Sequence, residues 1–319
     1  MANIDVDQLK RVLSAEKTRA DADAGRLRAV NRALRRVRPG PDFEARHRRA
    51  LERAFRTEMP DAARYFAEAE ETFRRGVRDR RAALDVLATA PPPLAPTSTL
   101  LETPFLIWGL AAGSPGSRLR YDGHIEAGNS WATMASYFDG DDAFLTYDEV
   151  DFYFLWQNDG GTDVVVDVQS LLRLTGSLHA WADAGFFWTP FWGVTTIGDS
   201  TGYVQARLEL LQWWEQPPTR PLPQPDQVND VESLSVSGGW QLLGRPGRHE
   251  SVPVSGAAHL AYDTFRVPAG AVAVFEVGVR VGWGGYDGGG FADFESGDFR
   301  VVCPHVQLEF LTAPPVVSP

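Results

Sequence analysis

The feature of this sequence that most constrains its fold is a change of hydrophobic period across a proline-rich segment at residues 91–98. Before this segment apolar residues recur every three or four positions, and after it they alternate with polar residues. The first period lines one side of a helix, and the second lines one face of a strand. Because proline fixes φ and favours polyproline II, the segment predicts a semi-rigid linker. We therefore expect a helical region at 1–90 and a β region at 99–319.

Charge separates the same two regions. Residues 1–90 contain 21 Lys and Arg against 15 Asp and Glu, whereas the rest of the 319-residue chain holds 10 basic and 27 acidic residues. All 10 tryptophans also lie after residue 90. Opposite net charges allow the two regions to attract each other, or to attract neighbouring copies of the chain.

The helical region is rich in arginine and alanine, which are good helix formers, and its prolines fall between the periodic stretches. The predicted helices cover residues 7–38, 42–57 and 60–89. Asp5 or Asp7 can cap the first helix. The pattern fits an extended arm as well as a small three-helix bundle.

The third predicted helix carries its large apolar residues on one face, namely Phe66, Phe73, Val77 and Leu84. The first two helices contain too few large apolar residues to cover this face alone. We therefore expect a neighbouring subunit or the β region to complete it. This pattern favours self-association into a homo-oligomer.

Turn signals and alternating segments dominate the β region, for example at 204–210 and 272–281. They predict an antiparallel β-sandwich with jelly-roll or Greek-key-like connections. A second proline-rich break at 217–227 leaves two arrangements open, one large sandwich or two tandem sandwiches. We favour the single sandwich, because 228–312 is short for an independent jelly roll.

One segment matches the serine-hydrolase pattern G-x-S-x-G, with Gly198, Ser200 and Gly202 at the required spacing. A nucleophile elbow needs a strand before the serine and a helix after it. Here an alternating strand follows the motif. We therefore interpret the segment as a hairpin turn and assign no catalytic residue.

Acidic clusters occur at 139–142 and 148–151, and a further set lies in and after a glycine-rich stretch. That set, Asp287, Asp293, Glu295 and Asp298, is the candidate metal site. Ca²⁺ prefers several carboxylate and carbonyl oxygens, so it is the cofactor we consider. No cluster completes a calcium-loop motif, and solvated acidic loops remain our preferred interpretation.

An aromatic run supplies the candidate ligand-binding residues Phe187, Trp188, Phe191 and Trp192. An exposed platform of such rings would suit a carbohydrate. The alternative is burial in the core or in an interface, where aromatic side chains contribute large contact area.

Several classes of site lack a sequence signal. The six histidines show no zinc spacing, and Cys303, the only cysteine, has no partner for an intramolecular disulfide. No glycine-rich phosphate loop opens a helix, and acidic residues interleave with the basic ones, so we expect no specific nucleic-acid partner. Neither a signal peptide nor an 18-residue apolar run is present, which predicts a soluble cytoplasmic protein without a membrane span and leaves non-classical release open.

These features favour a non-enzymatic structural or recognition protein, in which the helices mediate self-association and the β-sandwich forms the body or a binding surface. The alternative is a carbohydrate-active hydrolase that uses loop carboxylates near 139–151 and 287–298. A deep acidic cleft would favour the enzyme, and large apolar contacts between subunits would favour assembly.

Overall fold

A computed structural model of the chain describes most of its length. The described residues are 5–35, 42–90, 93, 97–112, 117–183, 185–188, 193–194, 198–213, 222–223, 227–238, 240–241 and 247–313.

The three predicted helices are present as α1 (Val6–Arg35), α2 (Phe43–Glu58) and α3 (Ala62–Thr89). Asp5 caps α1, because its carboxylate accepts hydrogen bonds from the backbone N–H groups of Asp7 and Gln8 at 3.0 and 3.1 Å.

The rest of the described chain is built mostly of strands. They are β1 (Thr97–Leu101), β2 (Leu106–Leu110), β3 (Ser117–His124), β4 (Ser130–Gln157), β5 (Val164–Ala182), β6 (Gly185–Trp188), β7 (Gly193–Val194), β8 (Asp199–Trp213), β9 (Leu222–Pro223), β10 (Gln227–Ser237), β11 (Trp240–Gln241), β12 (Arg248–Val267), β13 (Val272–Asp293), β14 (Arg300–Cys303) and β15 (Val306–Phe310).

The strands pair antiparallel, apart from β6 with β11, and form a β-sandwich in which β4, β5 and β13 each take part in several pairings. Strands from both sides of the 217–227 break pair with each other. Thus β1 pairs with β15, β5 with β12, and β4 and β8 both flank β13. Both segments therefore contribute to the same sandwich.

The alternation in the sequence decides which side chains enter the core. In β8, Val204, Ala206, Leu208 and Leu210 are fully buried in the core, and in β4 the neighbouring core residues are Phe152 and Phe154. The intervening residues of β4, β8 and β13 point to the opposite face of the same sheet, as the two-residue period requires. We call this opposite face the outer face.

Helix α1 covers the outer face. Leu9 and Leu13 are buried against Tyr153, Leu211 and Val274, and Phe105, Leu106 and Trp108 pack at the edge of the same cluster. Farther along α1, the ammonium of Lys17 donates a hydrogen bond to the backbone oxygen of Tyr147 at 2.6 Å. The helical and β regions are thus packed together through α1.

The other two helices reach different parts of the body. Helix α2 packs on α1 through an apolar cluster centred on Val30, Ala54 and Met59. Helix α3 lies against β12 and buries Ala83. One side of α3 is therefore fixed to the sandwich.

Candidate functional site

A face of α3 beside the one that buries Ala83 carries four exposed large apolar side chains, which we call the α3 stripe. Phe66, Phe73, Val77 and Leu84 are 58%, 69%, 54% and 53% exposed. Their spacings of seven, four and seven residues place them on one side of the helix. The structure thus brings together the four residues that the sequence predicted for assembly, and it leaves them exposed in the single chain.

Charged residues are distributed unevenly along α3. The segment 68–71 contains Glu68, Glu70 and Glu71, and the segment 74–81 contains Arg74, Arg75, Arg78, Arg80 and Arg81 with a single acid, Asp79. Two pairs join these segments, Glu70 with Arg74 and Glu71 with Arg78, each at 2.6 Å. The stripe therefore passes a short acidic segment and then a longer, mainly basic one.

A second surface lies on the sandwich, where Tyr137, His179, Trp181 and Phe291 are half-buried on neighbouring strands. We call these four residues the aromatic patch. Phe291 of β13 is in register with both Tyr137 of β4 and His179 of β5. The ring centroids of Tyr137 and Trp181 are 5.6 Å apart, and those of His179 and Phe291 are 6.0 Å apart and stacked.

Glycine makes this arrangement possible. A Cβ atom on Gly289 would collide with the indole of Trp181, and one on Gly290 would collide with the buried indole of Trp283. The glycine-rich stretch is therefore part of β13, where the missing side chains make room for aromatic rings on both faces.

The predicted ligand-binding residues lie only partly within the described chain. Phe187 and Trp188 belong to β6, which pairs with β7, and the structure does not describe their side chains. Phe191 and Trp192 lie outside the described residues. Trp181, a few residues before this run, is in the aromatic patch, which the sequence analysis missed. Its two-residue spacing from His179 along β5 is a signal that could have placed both side chains on one face.

Two of the predicted metal residues, Asp293 and Glu295, lie close together beside Arg120. Asp293 accepts hydrogen bonds from the backbone N–H groups of Glu295 and Ser296, and Glu295 pairs with Arg120. Burial raises the pKa of Asp293, but these hydrogen bonds and the nearby His179 outweigh it, so the net pKa is lowered. Asp298 is exposed, and Asp287 has a left-handed backbone with φ of 46°. Within the described ranges no three His, Cys, Asp or Glu side chains are arranged to hold a metal ion. The Ca²⁺ site stays a prediction.

The acidic cluster at 148–151 is buried within β4, so its interpretation as a solvated loop was wrong. Asp148 accepts hydrogen bonds from the backbone N–H of Ala112 at 2.6 Å and from the hydroxyl of Ser136 at 2.7 Å. Glu149 and Asp151 point to the outer face, where they meet two arginines. Hydrogen bonds and ion pairs replace the water that a charge run normally keeps.

These arginines and acids form a buried charge network of Glu149, Asp151, Arg207, Glu276 and Arg280 beneath α1. The Arg207 guanidinium lies 2.6 Å from Glu276, 3.3 Å from Glu149 and 3.7 Å from Asp151. It also pairs with Glu209. Arg280 pairs with Glu149 at 2.6 Å. The sequence did not reveal the network, because its members are far apart in the chain.

The network shifts the pKa values of its two β4 carboxyl groups in opposite directions. For Glu149, burial opposes ionisation, but Arg207, Lys17 and Arg280 outweigh it and lower the pKa to about 2. For Asp151, burial and the charge of Glu276 raise the pKa well above its usual value. Both oxygens of Asp151 are buried, and neither accepts a hydrogen bond from the described part of the chain. Glu149 therefore stabilises the fold as an anion, whereas an ionised Asp151 destabilises it.

Ser200 of the hydrolase-like motif lies inside β8, so the hairpin-turn interpretation was wrong. Its hydroxyl is buried and donates a hydrogen bond to the backbone oxygen of Gly289 at 2.9 Å. The strand begins at Asp199 and continues to Trp213, so no helix follows the serine. This geometry differs from the strand–turn–helix of a nucleophile elbow.

Comparison with known proteins gives no family for this chain. No family model and no curated protein matches it. Solved structures similar to parts of it include three carbohydrate-binding modules. TmCBM61 in complex with β-1,4-galactotriose has 14% identity and a TM-score of 0.16, covering 58% of this chain and 88% of that one. TmCBM27, described for specific mannan recognition, has 10% identity and a TM-score of 0.24, covering 68% and 98%. The family 11 module from Clostridium thermocellum, with a β-1,3-1,4-mixed-linked tetrasaccharide, has 10% identity and a TM-score of 0.21, covering 69% and 99%.

Among the helices of the described residues, none combines the length and the apolar character that crossing a membrane requires.

The buried charge network predicts opposite changes in stability for two isosteric substitutions, Glu149→Gln and Asp151→Asn. Glu149→Gln leaves Arg207 and Arg280 undercompensated, so it should lower the free energy of unfolding at pH 7 by about 3–5 kcal/mol. The pKa of Glu149 is lower in the folded than in the unfolded chain, so its contribution is present above about pH 4.5 and disappears as the pH falls towards 2. The free energy of unfolding of the variant should therefore lack the decrease that ionised Glu149 causes in the wild type over this pH range.

Asp151→Asn should instead preserve or raise the melting temperature at neutral pH, because it removes a buried charge from an acid-rich cluster. The pKa of Asp151 is raised on folding, so the gain in melting temperature should vanish as the pH falls below the ordinary pKa of an aspartate side chain. Thermal denaturation between pH 3 and 8 measures both effects, with exposed Asp298→Asn as the control. A large loss of stability in Asp151→Asn at neutral pH would contradict this description of the network.

Proposed function

We propose that this protein is a non-enzymatic assembly protein. Its helical region mediates self-association through α3, and its β-sandwich forms the body that is assembled. The observation that carries the proposal is the α3 stripe. Four large apolar side chains are more than half exposed on one side of a helix whose neighbouring side is fixed to the sandwich.

The distribution of exposed apolar residues supports a contact surface on α3. In the described part of the chain eight large apolar side chains are exposed, and four of them form the stripe. The other four lie singly on different segments, namely Phe43, Leu100, Ile125 and Val228. Isolated exposed residues are ordinary, whereas a contiguous apolar patch marks an interaction surface. Burial of each stripe residue would contribute about 1.5–3 kcal/mol.

The surroundings of the carboxylates support a non-enzymatic role. A glycosidase needs two carboxyl groups that face a sugar across a cleft. Glu149 and Asp151 instead lie beneath α1 and pair with Arg207. Near the other acidic segment, Glu295 pairs with Arg120 and Asp293 caps a turn. These carboxylates contribute to the fold.

Phe73→Asp tests the proposal most simply, because Phe73 is the most exposed member of the stripe. We expect the wild-type chain to sediment as an oligomer and the variant to sediment as a single subunit with unchanged helix content by circular dichroism. A buried unpaired carboxylate would prevent association, whereas an exposed one leaves the isolated subunit intact. Analytical ultracentrifugation over a concentration series measures this.

Phe43→Asp is the matched control, because Phe43 is exposed on α2 and lies outside the stripe. It should keep the wild-type sedimentation. A wild-type chain that remains a single subunit at every concentration would overturn the proposed function.

A second candidate function, carbohydrate recognition, is favoured by the aromatic patch. Its half-buried rings lie beside polar groups, since the hydroxyl of Tyr137 is 3.3 Å from Asp139 and Ser177 is 2.8 Å from a ring nitrogen of His179. A sugar presents an apolar ring face and a rim of hydroxyl groups. Aromatic surfaces with a few placed polar groups suit such a ligand.

Trp181→Ala should abolish carbohydrate binding if the patch is such a site, because Trp181 supplies the largest ring. Affinity electrophoresis in gels containing galactan, mannan or mixed-linkage β-glucan provides the measurement. Trp131→Ala is the control, since Trp131 is also half-buried but stacks on His124 outside the patch. Unretarded migration of the wild-type chain in all three gels would count against this second function.

A further inference from the structure

The α3 stripe is part of a longer line of residues that alternate at spacings of four and three. In order, the line consists of Phe66, Glu70, Phe73, Val77, Arg80 and Leu84. This spacing is that of the inward-facing positions of a coiled coil, which repeat every seven residues. All six side chains are exposed in the single chain. The line therefore has the form of one half of a helix–helix seam, with a negative charge near one end and a positive charge near the other.

The pattern of residue types along the line is symmetric about Arg75, except that an acidic residue on one side corresponds to a basic residue on the other. Phe66 and Leu84 lie at equal distances from Arg75 along the sequence, and so do Glu70 and Arg80. Phe73 and Val77 form the innermost matched pair. Each apolar position is thus matched with an apolar one, and the acidic position is matched with the basic one.

We propose that α3 pairs antiparallel with α3 of a second copy of this chain, about a twofold axis beside Arg75. Phe66 then packs on the partner's Leu84, and Phe73 packs on the partner's Val77. Glu70 pairs with the partner's Arg80, and the twofold axis repeats every contact. This inference rests on the proposed function and deepens it, because it names the partner and the register of the contact.

Charge selects the antiparallel direction. In a parallel pair in register, Glu70 would face Glu70 and Arg80 would face Arg80, so both polar layers would repel. In the antiparallel pair both layers join opposite charges. Near the axis, Arg74 lies close to Arg74 of the second copy, and the two positive charges repel. The Glu70 carboxylate, 2.6 Å from Arg74 in the same helix, offsets this repulsion. A second copy of α3 therefore fits the surface in one direction only.

The attachment of α3 to the sandwich leaves room for this partner. At about 100° per residue, the line lies roughly 100° around the helix from Ala83, the residue buried against the rest of the chain. A second helix can thus pack beside α3 without displacing it from β12. The seam from Phe66 to Leu84 spans about 27 Å at 1.5 Å per residue.

Charge reversal tests the register in the full-length chain. Glu70→Arg places two basic layers in the homodimer, and Arg80→Glu places two acidic layers. Each single variant should raise the dimer dissociation constant at least about tenfold, because two attractive pairs become repulsive. The double variant E70R/R80E should restore wild-type affinity. An equimolar mixture of the single variants should form a heterodimer of wild-type affinity, since both of its polar layers then join opposite charges.

Glu71→Arg is the matched control, because Glu71 pairs with Arg78 at 2.6 Å and lies outside the line. It should leave the dissociation constant unchanged, while circular dichroism checks the helix content of every variant.

If the wild type is oligomeric and the single reversals keep its affinity, the proposed register is wrong although the proposed function stands. If the reversals weaken association but neither the double variant nor the mixture restores it, the pairing is also wrong. If the wild type is always a single subunit, the proposed function fails, and this inference fails with it.

Discussion

The architecture depends on the burial of Arg207 among carboxylates on the outer face of the sandwich. A buried guanidinium needs acidic partners at short distance, and β4, β8 and β13 bring Glu149, Asp151 and Glu276 to it. Gly278 is in register with both Asp151 and Arg207. A Cβ atom on Gly278 would collide with the Asp151 carboxylate, so glycine makes space for the charged groups above β13. The charge pairs therefore favour one alignment of the three strands.

This network needs a cover, and α1 provides it. Leu9 and Leu13 bury the apolar residues beside the network, while Lys17 adds a positive charge at its edge. Exclusion of water strengthens the ion pairs beneath the helix. The packing of α1 also connects the helical region to the sandwich, and α3 adds a second attachment at β12. As a result, the α3 stripe is displayed by a helix that the body of the protein holds in place.

The sequence predicted the features that depend on local period. Helix boundaries followed from prolines and caps, and the three- and four-residue spacing placed Phe66, Phe73, Val77 and Leu84 on one face. Alternation in 204–210 likewise identified a strand, with Val204 and Leu208 in the core. The alternation also suggested a solvated opposite face, which was wrong, because Arg207 on that face is buried beneath α1.

The features that depend on distant partners could not be predicted in this way. Glu149 and Asp151 resemble a solvated charge run until Arg207 is brought to them across β13. The glycine-rich stretch resembles a loop until Trp181 and Trp283 are seen against Gly289 and Gly290. Both cases involve contacts between segments far apart in the chain, which a local pattern does not contain.

Self-association through α3 is tested most directly by amide hydrogen–deuterium exchange at two protein concentrations, one well below and one well above the dissociation constant. Pairing should slow the exchange of α3 amides between Phe66 and Leu84 at the higher concentration, because opening the helix then also requires separating the subunits. Exchange in β13, inside the sandwich, should not depend on concentration. Equal α3 exchange at both concentrations in a chain that sediments as an oligomer would place the contact elsewhere and contradict the account.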